Sequence, residues 1–138
     1  MENRIATTIN QSKKLLELGI DVNTADMFYN EEQDETYPKD IVDTKYPMVI
    51  REGQKHYLEE YGIPAWSLSA LVDILPNDEV TITTVTKGGW NSEAAKYLNL
   101  WFAHYETEKH DDDFTLSADN PIDAAFEMVV KLKENNYL

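Results

Sequence analysis

Apolar positions near the N-terminus recur at helical spacing. Ile5, Ile9, Leu15 and Leu16, together with Ser12, fall near one face of a helix predicted over Thr8 to Leu18. Gly19 stands where a left-handed C′ residue belongs, and Ile20 is placed to fold back on Leu15 as the apolar partner of a Schellman ending. Asn23 or Thr24 is the candidate cap of a short turn through Ala25 to Met27. The following "NEEQDETYPKD" is polar, acidic and interrupted by Pro38, which reads as an exposed loop. Met48 to Arg51 form a short predicted strand after Pro47, and "QKHYLEEYG" a helical turn or two ending at Gly62.

The pattern sharpens in "IPAWSLSALVDILP". Ser67 caps a predicted helix whose Leu68, Leu71, Val72 and Leu75 keep one face until Pro76 stops it. "EVTITTVT" is β-branched between "PND" and "KGG", a strand with turn residues at both ends. A second strand, "YLNLWFAHY", puts Leu98, Leu100, Phe102 and His104 on one face and Tyr97, Asn99, Trp101, Ala103 and Tyr105 on the other. The first face is expected to pack on helices, and the second to be half-exposed and aromatic. The last element carries Asn120 as N-cap, Pro121 at N1, and Lys131 and Lys133 near its end, which predicts a helix to about Glu134. Its buried stripe is Ile122, Ala125, Phe126, Val129 and Leu132, with Asp123, Glu127 and Lys131 outside.

These elements predict an α+β fold: a small antiparallel sheet centred on Val80 to Thr86 and Tyr97 to Tyr105, packed on one face by about three helices. The 138 residues fit a single domain spanning 1–138. With 42% hydrophobic and 11% aromatic residues, the chain is too apolar to stay disordered. Its net charge of -14 opposes direct binding to nucleic acid, which relies on lysine and arginine to release counterions. Cysteine is absent, so thiolate metal sites and cysteine nucleophiles are excluded. "MENRIATTINQSKKLLELG" has no apolar h-region of signal-peptide length, and no segment approaches the roughly 20 apolar residues of a membrane span. The expectation is a cytoplasmic protein without membrane contact.

Candidate chemistry is sparse. In "YETEKHDDDF", His110, Asp111 and Asp113 are the candidates for a metal site, but the glycine and the alternating ligands of an EF-hand loop are missing. If "FTLSA" pairs back on "WFAHY", the aspartates sit at a solvated hairpin tip. His104 is a candidate general base only if a carboxylate orients it, and His56 lies in a charged, solvated segment. "TKGGWN" matches neither a P-loop nor a dinucleotide fingerprint, and Ser67 and Ser69 lack a nucleophile elbow. No catalytic residue, cofactor or metal ligand is assigned. Trp90, Tyr97, Trp101 and Tyr105 form the candidate partner-binding set, with cover by loops or a helix as the alternative. The acidic runs Glu31 to Asp43 and Glu106 to Asp113 raise a further possibility, a DNA mimic that occupies a nucleic-acid-binding protein.

The closing "SADNPIDAAFEMVVKLKENNYL", with "KKLLELGIDVNTADM" and "PAWSLSALVDILP" in that order, resembles a family of small uncharacterised proteins of gut Bacteroidetes and their phages or mobile elements. Residues 29–61 and 87–96 lie outside the resemblance. It implies a cytoplasmic accessory protein and brings no activity, cofactor or partner with it. The reading from sequence is a non-catalytic accessory or interaction protein that binds a protein partner or itself. A DNA mimic and a small enzyme with a carboxylate and histidine site are the alternatives.

Overall fold

In a computed structural model, the residues described are 4–30, 47–51, 62–88 and 99–138. The chain divides into two compact units, Met1–Ala70 and Leu71–Leu138.

The first unit opens with helix α1, Ile9–Glu17. Thr8 starts it with a capping box: its hydroxyl accepts the Gln11 N–H at 3.1 Å, and the Gln11 side chain accepts the Thr8 N–H at 3.0 Å. The helix stops as the sequence predicts. Gly19 takes a φ of +86°, its N–H donates to Leu16 O at 3.0 Å, and the Ile20 N–H donates to Leu15 O at 3.0 Å, the paired bonds of a Schellman motif. The next turn, Val22–Thr24, is capped by Asp21 rather than by Asn23 or Thr24, the Asp21 carboxylate accepting the Asn23 N–H at 2.9 Å.

Strands β1 (Met27–Asn30), β2 (Met48–Val49) and β3 (Gly62–Ala65) follow, in an antiparallel sheet of order β2-β1-β3. Met27, Tyr29, Ile63 and Ala65 join Ala6 in the core of this unit, with Ile9 of α1 packed against them. Polar groups buried there are tied together. The Thr7 hydroxyl accepts the Trp66 N–H at 3.0 Å and meets the Ser12 hydroxyl at 2.8 Å, while Tyr29 donates to Thr7 O at 2.7 Å. Helix α2, Leu68–Ile74, begins at Ser67, whose hydroxyl accepts the Ala70 N–H at 3.2 Å. Asp26 holds that cap from outside, accepting the Ser67 N–H at 2.9 Å and the Ser67 hydroxyl at 2.5 Å.

The second unit holds β4 (Thr81–Lys87), β5 (Trp101–Thr107), β6 (Phe114–Ala118) and helix α3 (Pro121–Glu134), with the strands antiparallel in the order β4-β5-β6. Helix α3 lies across β5 and β6 and reaches β4. Ile122, Ala124, Ala125, Phe126, Met128, Val129 and Leu132 are its buried residues, which include the whole predicted stripe.

The fold is α+β, as expected, and the described strands form two sheets instead of one. The strand predicted at Met48 to Arg51 is present as β2, but its partners were not predicted: Met27, Phe28 and Tyr29 of β1 are all buried, and β3 contains a proline and a glycine. The helical turn predicted up to Gly62 lies outside the described residues, apart from Gly62 itself, which begins β3. Strand β5 starts at Trp101, four residues later than expected, after a turn at Asn99.

Candidate interaction surface

The strand register of the second unit sorts its side chains into two faces. Pairs such as Thr83 with Tyr105, Val85 with Ala103 and Ala103 with Leu116 share one face; Thr84 with His104, Thr86 with Phe102 and His104 with Thr115 share the other. The face of Ala103 and Tyr105 is the buried one, and Lys131 of α3 reaches over the Phe114 ring on it at 5.1 Å. This inverts the expected assignment for β5. Tyr105 is 3% exposed and Trp101 half-buried, whereas Phe102 and His104 belong to the open face. The reason lies in the neighbouring strand. Phe114, Leu116 and Ala118 of β6 register with Tyr105, Ala103 and Trp101, so the pooled apolar surface of the odd-numbered β5 positions exceeds that beside Thr115 and Ser117. Trp90 and Tyr97, the other members of the predicted aromatic set, lie outside the described residues, as do His56 and the whole acidic run 31–43.

The "KHDDD" turn joins β5 to β6 as a hairpin. His110 is held on every side: its Nδ1 accepts the Asp112 N–H at 3.2 Å, its Nε2 meets the Tyr105 hydroxyl at 2.9 Å, and Tyr137 stacks on it with ring centroids 3.9 Å apart. Because Nδ1 accepts, the proton of the neutral ring is on Nε2, facing Tyr105. Tyr137 reaches this position through a second Schellman ending. Asn136 adopts a φ of 62°, its N–H donates to Lys133 O at 3.1 Å, and the Tyr137 N–H donates to Leu132 O at 2.8 Å. The Tyr137 hydroxyl then donates to Asp112. Both phenols have pKa values above the ordinary one: Tyr105 chiefly through burial, Tyr137 chiefly through its hydrogen bond to the Asp112 carboxylate. Both ring nitrogens of His110 are thus engaged within the chain, Asp111 and Asp113 are exposed, and among the described residues no three acidic or histidine side chains gather as a metal-binding group.

The open face carries Ile82, Thr84 and Thr86 on β4, Phe102, His104 and Glu106 on β5, and Thr115 and Ser117 on β6. Ile82 is 52% exposed at one corner of this face, and Phe102 is half-buried at the other end of the sheet. Between them, His104 Nδ1 meets the Thr115 hydroxyl at 2.8 Å and Nε2 meets Glu106 Oε2 at 3.3 Å. Hydroxyl, imidazole and carboxylate in series have the connectivity of a nucleophile, its base and an orienting acid. The surroundings are unsuited to that chemistry. The His104 and Glu106 side chains are 40% and 55% exposed, so water screens them, and sheet N–H groups lie in the plane of the sheet, where they cannot stabilise an oxyanion above it. The series serves to fix the His104 ring between Thr115 and Glu106.

The same unit has two unlike edges. On β4, the chain covers its own outer side: the Asn77 side chain accepts the Thr83 N–H at 3.0 Å, and the Asp78 N–H donates to Thr81 O at 3.1 Å. Lys109 closes this corner with a 2.9 Å contact to Asp78, which holds the Asp78 carboxyl below the usual carboxylate range together with the Val80 N–H. Among the described residues, no hydrogen bond of this kind covers the outer side of β6.

Compared with known families, curated proteins and solved structures, the chain matches no family model, no curated protein and no solved structure. No described helix is long and apolar enough to cross a membrane.

Proposed function

We propose that this chain is a non-catalytic interaction protein that docks another protein on the open face of the β4-β5-β6 sheet. The observation that carries this reading is the composition of that face: exposed Ile82 and half-buried Phe102 at opposite ends of a row of hydroxyl side chains, with His104 pinned between Thr115 and Glu106. Apolar anchors set in a rim of satisfied polar groups are the usual make-up of a protein contact. The net charge of -14 turns the docking preference toward a basic surface. The resemblance to small accessory proteins of Bacteroidetes and their phages or mobile elements is in keeping with such a role, and with action in the cytoplasm.

The test is a photo-crosslinking amino acid placed at Thr84, with Glu127 on the exposed side of α3 as the control position. A partner captured in host-cell extract from Thr84 alone, and lost in Ile82→Glu and Phe102→Glu, is the expected outcome. Equal capture from both positions, or capture insensitive to both substitutions, refutes the docking face.

The Thr115, His104 and Glu106 series motivates a second reading, a hydrolytic site. It predicts hydrolysis of p-nitrophenyl acetate that disappears in both His104→Ala and Thr115→Val. We expect the wild type to be no faster than His104→Ala, as exposure of the pair to water implies.

A further inference from the structure

The ladder between β4 and β5 is extended at both ends by hydrogen bonds of even-numbered residues: Glu108 N–H to Val80 O at 2.9 Å, and Gly88 N–H to Leu100 O at 2.8 Å. Antiparallel bonding alternates along a strand, so the even-numbered residues of β5 face β4 and the odd-numbered ones face β6. Trp101, Ala103 and Tyr105 therefore bond to Ala118, Leu116 and Phe114. Thr115 and Ser117 are left with their N–H and C=O groups directed away from the sheet, and both residues are exposed. Strand β6 is the end of the sheet in the order β4-β5-β6. At the opposite end, Asn77 and Asp78 bond to the outer groups of Thr83 and Thr81.

An open edge invites a strand, and the charges beside it select which one. Asp111, Asp112 and Asp113 precede β6, and Asp119 follows it. A second copy pairing antiparallel through Thr115 and Ser117 would set Asp113 directly opposite Asp119 at each end, and like charges in cross-strand register repel. Lys131 of α3 lies over the Phe114 ring, on the helix side of the sheet rather than along this edge.

From this we infer that the outer edge of β6 receives, as a fourth strand, an extended segment of a partner protein that is basic at both ends and β-branched between them. The backbone of Thr115 and Ser117 supplies the ladder bonds. Asp113 and Asp119 meet the two basic ends, and alternate side chains of the added strand continue the open face beside Thr115 and Ser117. This deepens the docking proposal and rests on it, because the same partner would then contact both the edge and the face.

The probe is a synthetic octapeptide, Arg-Lys-Thr-Val-Thr-Val-Lys-Arg, titrated into the isotopically labelled full chain. The expected result is amide shift changes centred on Thr115 and Ser117, with slowed hydrogen exchange at both. The same peptide with glutamates at its ends should bind at least about tenfold more weakly in low salt. Ser117→Pro removes an outward N–H without touching the β5 ladder and should abolish binding. As a check independent of that variant's folding, the peptide N-methylated at alternate residues should bind wild type no better than background. Asp113→Lys with Asp119→Lys should reverse the preference toward the acidic-ended peptide. No binding at millimolar peptide, binding unaffected by N-methylation, or shifts confined to other residues overturns the edge assignment. If that happens while crosslinking from Thr84 still responds to Phe102→Glu, the docking face stands and the edge alone falls. If the peptide binds the edge but Thr84 captures nothing, the face falls instead.

Discussion

At the scale of single residues, the two ends of the helices show how much a local rule decides. Gly19 and Asn136 do the same work, each turning left-handed so that the following residue can bond back to the helix. The first was legible because glycine at that position has one common meaning. The second was not, because asparagine has several and because its purpose, to bring Tyr137 over His110, depends on a turn 27 residues earlier in the chain. Asparagine bears more strain than glycine in this conformation, so Asn136→Gly should stabilise the chain by a few tenths to about 1 kcal/mol, measured by urea denaturation with the stacking of Tyr137 intact. A destabilisation would mean that the Asn136 side chain contributes more than its backbone angle costs.

At the scale of elements, local signals and tertiary choices separate cleanly. Helix α3 was readable from end to end. Asn120 accepts the Asp123 N–H at 2.8 Å, Pro121 occupies N1, and the apolar stripe is buried as its spacing requires. Asn120→Ala should therefore cost about 1 kcal/mol. Met128 is wholly buried, and Met128→Ala should cost roughly 2–5 kcal/mol, a contrast that chemical denaturation of the two variants checks directly. The strands β5 and β6 were also readable as a hairpin, yet the side of β5 that faces α3 was not. Alternation divides a strand into two faces without ranking them, and both faces of β5 carry aromatic residues. The ranking came from Phe114, Leu116 and Ala118 on the adjoining strand, information that a strand does not hold about itself. Strands β1 and β3 escaped because burial on both sides erases alternation, and Pro64 argues locally against a strand.

At the scale of the whole molecule, ionisation ties the two units to the same solvent variable. Tyr29 in the first unit and Tyr105 in the second have phenol pKa values raised chiefly by burial, and Tyr137 has one raised chiefly by Asp112. A pKa that is higher in the folded than in the unfolded chain contributes stability that is complete below the unfolded value of about 10 and is lost as pH rises through the folded value. The melting temperature should thus be insensitive to these groups at neutral pH and fall at strongly alkaline pH, with phenolate absorbance rising along with unfolding. Tyr137→Phe should weaken that alkaline dependence, while Tyr137→Ala should also release the His110 ring. Asp78 acts with the opposite sign: its carboxyl is held low by Lys109 first and the Val80 N–H second, so its contribution exists above the ordinary carboxylate pKa and disappears as pH falls through the lowered one.

Trp66 is 0% exposed, and its indole N–H donates to the Thr24 hydroxyl at 2.9 Å. A proton sealed in this way can trade with deuterium only when the structure around it opens, so the Trp66 indole resonance becomes a clock for that opening. Its exchange rate, read across a denaturant series, reports the free energy of that opening.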